Sequence, residues 1–281
     1  MDASASSASV QRRMILIGSF DAVEHNRILK LFRSYSAAGY QVSFAGMDRL
    51  RKHRGRHVRT SNGLECRYIL RGFGFANWRL LIGYPLWMLR AFLYALRLKA
   101  DVAHVFELDS GLPMAAASLF RPIPFIYDAQ DNYDLRKPWP FPLKHLIRWA
   151  DGWVMKRAST IIVPDENRIV GPFARFGQKI LVIPNCPPEI RPPARMNPRD
   201  PNVLTVLAMG YLGERRGIDQ LLDAVSLVPE ARVLMAGQFF EPWLEAKARS
   251  MPQVEFRGWV PWEEAIALGY QADVVFAFYD P

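Results

Sequence analysis

The chain has 281 residues, half of them hydrophobic, and a formal net charge of +9. That length suits two domains with a sizeable core, and the composition excludes disorder throughout. Two distant cysteines, Cys66 and Cys186, without a CxxC pair or a histidine cluster, exclude a disulfide framework and supply no metal-ligand set.

Residues 1–13, ending DASASSASVQRR, are low in complexity and expected to be disordered. MILIGSF (14–20) reads as a short buried strand that ends in a glycine turn at Gly18–Ser19. Asp21 and Glu24 follow so soon that the stretch is a core strand and not a targeting segment. A helix is expected from about Val23 to Ala38, with Ile28, Leu31, Phe32 and Tyr35 at helical spacing and Gly39 as its stop. GYQVSFAG (39–46) is the second strand. RLRKHRGRHVR (49–59) then places six Arg/Lys and two His in eleven residues. It reads as a solvated basic loop, a nucleic-acid contact or a patch drawn to an anionic membrane face. No nucleic-acid motif or aromatic platform accompanies it, so nucleic acid is not expected as a partner. The membrane reading is favoured, each basic residue near such a surface contributing about 1 kcal/mol.

NWRLLIGYPLWMLRAFLYALRL (77–98) sharpens that preference. On a helical wheel Arg79, Arg90 and Arg97 share one narrow stripe, and nearly everything else is apolar. The segment is too short between arginines to cross a bilayer, which takes ~20 apolar residues. Pro85 argues against one straight helix. A helix packed inside the core and a helix lying in the membrane interface both fit the pattern.

NCPPEIRPPARMNPRDP (185–201) holds six prolines and no apolar periodicity, which marks an interdomain linker. Residues 1–190 contain 27 Lys+Arg and 15 Asp+Glu, a net of +12; residues 191–281 contain 9 and 12, a net of −3. The expected domains are therefore 14–184 and 202–281.

The second domain opens with VLTVLAMGYLGERRGIDQLLDAV (203–225). A buried strand breaks at Gly210 and Gly213, passes Arg215 and Arg216, and enters a helix with Ile218, Leu221, Leu222 and Val225 on one face. Glycines admit a ligand close to the backbone, helix N-termini favour anions, and arginine pairs with phosphate. A phosphate-binding turn and a structural strand–helix turn are the two readings. Strands at Arg232–Gly237, Val254–Gly258 and Asp273–Phe278 then alternate with helices at Glu241–Ser250 and Glu263–Tyr270. That alternation predicts an α/β fold with a parallel sheet.

GYLGERRGIDQLLDA, VLMAG, VEFRGWVP and QADVVFAFY follow the order and spacing of the nucleotide-sugar domain of retaining glycosyltransferases. RILKLFRSYSAAGYQVSFAG is similar to the opening β-α-β of the same proteins. DVAHVFELD (101–109), PFIYDAQDNY (124–133), ASTIIVPDENRIV (158–170) and KILVIPNCPP (179–188) resemble their later strands. The chain thus resembles the bacterial group 1 (family 4-like) retaining glycosyltransferases from residue 14 onward. The resemblance implies the GT-B architecture of two facing Rossmann-like domains with parallel sheets.

It also implies transfer of a sugar from a UDP- or GDP-sugar to a glycan or lipid-linked acceptor, with retention and without a further cofactor. On the donor side it points to Gly210, Gly213, Arg215, Arg216, Gly237 and the Gly258–Trp259–Val260 turn. In the family motif an Arg follows the first glycine; Tyr211 stands there, which makes Arg216 the main phosphate contact. On the acceptor side it points to Gly18, Ser19, His104, Glu107, Gln130, Asp131 and Asn132. Gln130 stands where the family often has a histidine, so a histidine base is absent there; Asp131, taken with Arg216 as catalytic, or Glu107 is expected to bind acceptor hydroxyls, while the strand pattern around His104 favours packing. Cytoplasmic placement, peripheral at the inner membrane face, goes with these readings.

The family continues beyond DVVFAFY with a helix bearing two glutamates. Glu255 and Glu263 have the spacing but flank a strand and turn. The second domain is therefore expected to be incomplete and the chain inactive alone, a non-catalytic acceptor-binding remnant being the alternative. A nicotinamide-dependent oxidoreductase is disfavoured, because GSFDAVEHNR lacks the G-x-G-x-x-G cradle.

Overall fold

The computed structural model describes residues 11–23, 25–74, 78–135, 140–186 and 200–278. They belong to two compact units, Met1–Cys186 and Pro187–Pro281. Most of the segment expected to be disordered (1–13) and most of the proline-rich linker (185–201) lie outside the described residues. Arg13 corrects the first expectation. It opens the first strand, and its backbone N–H donates to the Asp101 carboxylate at 2.7 Å.

In chain order the first unit contains β1 (Arg13–Ile17), α1 (Asn26–Ala37), β2 (Gln41–Asp48), β3 (His57–Arg59), β4 (Glu65–Arg71) and α2 (Leu80–Leu96). It continues with β5 (Val102–Phe106), α3 (Glu107–Ala117), β6 (Phe125–Asp128), α4 (Phe141–Arg157), β7 (Thr160–Val163) and β8 (Ile180–Val182). The strands lie in the order β3-β4-β2-β1-β5-β6-β7-β8, all parallel except β3, which runs antiparallel to β4. β1 is apolar from Met14 to Ile17 because helices cover both its faces. Ile28 of α1 closes over Met14, Leu16, Val42 and Phe44. On the opposite face Trp87, Ala91 and Ala95 of α2 pack with Ile15, Ile17 and Ala45, beside α3 and α4.

Two expectations change here. The strand read as 101–109 ends at Phe106, and α3 begins at once with Glu107. α2 is one helix through Pro85, whose ring occupies an exposed position. The basic segment 49–59 is only partly a solvated loop. Its last three residues form β3, and His53 stacks on Tyr68 with its Nε2 2.6 Å from Asp21.

The second unit contains β9 (Leu204–Leu212), α5 (Ile218–Ser226), β10 (Ala231–Phe239), α6 (Pro242–Ser250), β11 (Val254–Phe256), α7 (Trp262–Gln271) and β12 (Val274–Phe276). Its four strands are parallel in the order β11-β10-β9-β12. α5 and α6 bury Ile218, Leu221, Leu222 and Leu244 on one face, and α7 buries Leu268 on the other.

Both sheets reverse direction beside their first strand. The chain winds from β1 out through β2 and returns to β5 on the other flank; it winds from β9 through β10 and returns to β12. Open α/β sheets bind ligands outside the C-terminal strand ends at such a reversal. Those two places are where the chemistry has to be sought.

Candidate functional site

At the reversal of the second sheet, three of the glycines singled out from sequence meet. Gly210 and Gly237 are register partners on β9 and β10, and Gly237 N–H donates to Gly258 O at 2.7 Å. A Cβ on Gly237 would lie 1.8 Å from Gly210 O, so no side chain fits there. Gly210 has φ +99° and Gly258 φ +68°, backbone that L side chains rarely adopt. Gly213 is wedged under Phe240, whose ring a Cβ would meet at 2.9 Å.

Beyond Gly213 the chain makes a single turn of 3₁₀ helix, Glu214–Arg216, and enters α5 through Gly217 at φ +65°. A cavity of about 270 Å³ opens between this turn and the end of β12, lined by Gly210, Tyr211, Arg216 and Phe278 among others. Arg216 lines it and is half-buried, whereas Arg215 beside it is exposed and outside the lining. Tyr211, Phe240 and Trp259, from the ends of three adjacent strands, form an exposed aromatic group. Tyr211 stacks on Phe240 at 5.1 Å and 16°, and Trp259 lies 6.3 Å from Tyr211. Val260 turns inward against the α7 face. Trp259 is among the residues expected from sequence and Phe240 is not, because an aromatic ring after a strand carries no signal of being exposed.

At the reversal of the first sheet, the turn after β1 faces the start of α3. Gly18 is packed against Phe20, and Ser19 Oγ donates to Asp109 Oδ2 at 2.6 Å. Arg49 reaches into the same place, Nε to Ser19 O at 3.0 Å and Nη2 to Tyr84 Oη at 3.1 Å. Glu107 stands between β5 and α3 with φ +60°. A non-glycine residue there costs about 1–3 kcal/mol, and such strain collects at functional sites. A pocket of about 150 Å³ lined by Phe20, Asp21, His25, Asp48 and Arg49 opens beside the turn.

Several buried polar atoms along this edge have no hydrogen-bond partner among the described residues: His25 Nδ1, Gln130 Nε2, Asn132 Oδ1 and Asp165 Oδ1. They follow β1, β6 and β7, all at C-terminal strand ends. Unsatisfied buried polar atoms are costly unless a ligand or water completes them. Burial, and then Arg27, lower the His25 pKa, so the ring is neutral near pH 7 with Nδ1 able to accept or donate.

His104 is not part of this edge. It is fully buried, with Nε2 3.1 Å from Asp128 Oδ2 and Nδ1 2.8 Å from Tyr35 Oη, while Arg27 holds Asp128 through Nε at 2.8 Å and Nη2 at 2.9 Å. Its place within the β5 alternation turns it into the core. Asp131 is half-buried at the edge and pairs with Arg168 at 3.1 Å, which occupies its charge. Glu255 pairs with Arg232 and Arg257, away from the glycine cluster.

Residues 25–186 match the family model of the glycosyl transferase 4-like domain, more than half of the chain. The chain belongs to this family. No match was found among curated proteins. Among solved structures, this glycosyltransferase-family chain is similar to sucrose-phosphate synthase from Thermosynechococcus elongatus: TM-score 0.72, 15% identity, 96% of this chain and 76% of that one. It is also similar to the catalytic domain of Arabidopsis thaliana starch synthase IV bound to ADP and acarbose: TM-score 0.62, 10% identity, covering 94% and 77%. Anabaena HepE in complex with UDP and glucose aligns at TM-score 0.59 and 14% identity, covering 93% and 73%. At these identities the likeness establishes the fold, with the Rossmann-like units of GT-B glycosyltransferases.

Proposed function

We propose that the protein transfers a sugar from a nucleoside diphosphate sugar to an acceptor hydroxyl with retention of anomeric configuration. The donor binds on the second unit and the acceptor on the first. The observation that carries the reading is the glycine cluster of Gly210, Gly237 and Gly258 beside a cavity into which Arg216 projects. Gly210 and Gly258, with no atom where a Cβ would stand, leave backbone open to a diphosphate, and Arg216 sets a cation where charge develops as the bond to the anomeric carbon breaks. The acceptor oxygen bonds to that carbon, the nucleoside diphosphate leaves, and the acceptor proton passes to the departing phosphate. The exposed ring of Trp259 offers a stacking face for the nucleobase, uridine or guanosine in this reading.

On the first unit, His25, Gln130 and Asn132 present polar atoms for a hydroxyl-bearing acceptor. The Ser19–Asp109–Arg49 contact holds the turn that carries His25. The acceptor is a glycan or a lipid-linked glycan, with the first unit resting at the anionic inner face of the membrane through α2. That helix buries Gly83, Trp87, Ala91 and Ala95 and exposes Leu81, Pro85, Leu89 and Leu93 along its other side. The exposed apolar stripe is what supports the peripheral reading.

The test is donor binding by calorimetry with the 281-residue protein and UDP- or GDP-sugars. Arg216→Ala should weaken binding ~10- to 100-fold through loss of one charge-assisted contact. Arg215→Ala, exposed and away from the cavity, should change it little. Equal losses, or none, would reject the assignment of the phosphate turn.

A further inference from the structure

The opposite edge of the first sheet, at the N-terminal strand ends, holds a cleft of about 770 Å³, larger than either cavity at the reversals. Arg13 of β1, Arg59 of β3, Arg67 of β4, and Arg97 and Lys99 just past α2 line it, and Glu65 is its one carboxylate. Among the described residues none of the five cationic side chains makes an ion pair; Arg67 lies over the Tyr94 ring at 5.4 Å. Elsewhere the same unit pairs its arginines closely, as at Arg27–Asp128 and Arg148–Asp134.

Part of this charge has a local use. α1 and α2 both end at this edge, and each helix C-terminus carries about half a negative charge. Setting those ends, Glu65 and the Asp101 carboxylate held on the Arg13 backbone against five cations leaves an excess of roughly two positive charges in one concavity. Like charges gathered in a cleft repel each other and focus the field on whatever anion enters. Four of the five are arginines, whose planar fork matches phosphate oxygens two at a time.

We propose that this cleft is a binding site for a phosphate-bearing anion, and that its source is the phosphomonoester headgroup of an anionic lipid. The choice of source rests on the peripheral-membrane reading of α2. The exposed stripe Leu81, Pro85, Leu89 and Leu93 leads along that helix to Arg97 at the mouth of the cleft. Arg97 stands about 24 Å along the helix from Leu81, directly after the exposed stripe. The site is separate from the glycine cluster on the second unit.

The experiment uses the 281-residue chain carrying Arg216→Ala, so that binding at the phosphate turn of the second unit is weakened. Inorganic pyrophosphate is titrated by calorimetry, and flotation is measured with phosphatidylcholine vesicles with and without phosphatidic acid. Adding Arg59→Glu and Arg97→Glu should weaken pyrophosphate binding about tenfold or more and abolish the extra flotation that phosphatidic acid brings. The neutral pair Arg59→Gln and Arg97→Gln should lose part of both, with an unchanged circular dichroism spectrum and melting curve. Loss of pyrophosphate binding without loss of flotation would keep the phosphate site and overturn the lipid source. Leu89→Glu separates the two readings, since it should release vesicles while leaving pyrophosphate binding intact. Absence of pyrophosphate binding in the parent chain, or affinity and flotation both unmoved by the charge reversals, would overturn the proposal.

Discussion

Asp128 shows how much of this molecule is decided by single buried contacts. Its carboxylate ends β6 with no exposure and takes two bonds from Arg27, while His104 completes it and passes the chain on to Tyr35. A charge buried this deeply is tolerated because both its oxygens are answered by the guanidinium. Arg27→Met should therefore cost ~3–5 kcal/mol, since it leaves the carboxylate and the imidazole facing each other without a cation. Chemical denaturation of the variant measures it, and a loss below ~1 kcal/mol would mean that the Arg27–Asp128 pair does not hold the fold. None of this could be read along the chain. Arg27 stands 101 residues from Asp128 and looks like any surface arginine of an amphipathic helix. His25 and Arg49 were missed for the same reason. The one lies in a turn with no motif, and the other reads as part of a run of surface charge. The glycines of the second unit, by contrast, were legible as special backbone positions, because left-handed φ at Gly210 and Gly258 and close packing at Gly237 favour that residue type.

α2 carries the next level. Its composition is apolar all round, so periodicity alone left a core helix and an interfacial one equally open. The structure divides the helix instead: small residues and Trp87 face the sheet, and branched apolar residues face outward. Among the described residues no helix is long and apolar enough to cross a membrane. Leu89→Glu places a charge in the middle of the exposed stripe and touches no buried contact. It should leave the melting curve unchanged and reduce binding to anionic vesicles by about tenfold or more, read by co-sedimentation. Unchanged vesicle binding would return the stripe to an ordinary exposed surface. α3 and α4 were not legible. α3 contains Gly111 and Pro113, and α4 contains Asp151–Gly152, residues that local propensity sets against a helix. Tertiary burial overrides that preference. Gly111 is placed where a Cβ would press on Tyr127 at 2.9 Å, so the close approach of α3 to β6 requires it.

For the molecule as a whole, the alternation of strands and helices was enough to predict the parallel sheet of the second unit, and the order of motifs pointed to a second Rossmann-like unit before it. What alternation does not give is the side on which each strand returns, and that is what sets the two reversals. Stability of the whole first unit also carries a pH signature. Burial raises the Asp151 pKa from 3.8 to about 7, opposed by the bond it accepts from Tyr127 Oη at 2.6 Å and aided by Asp134. Between those two values the folded chain binds a proton that the unfolded chain releases. Stability is therefore greatest at the acid end of this window and falls as pH rises toward about 7, beyond which the contribution is flat. Asp151→Asn keeps an oxygen for Tyr127 and removes the charge. It should flatten the fall of melting temperature across the window and raise it near pH 8. An identical pH dependence in the variant would place the cause elsewhere.

β1 is made first and ends in the middle of its sheet, with β2 on one flank and β5 on the other. On the ribosome the first flank can be covered soon, since β2 follows within one helix. The second must wait until Val102–Phe106 has been made and has left the exit tunnel. At roughly 5–20 residues per second that wait is on the order of ten seconds. Through that interval Met14–Ile17 presents an apolar strand with one unpaired edge to the cell. Birth of the molecule thus passes through a stage in which its most central strand is its most adhesive one, and the nascent chain is a natural client for chaperones until β5 arrives.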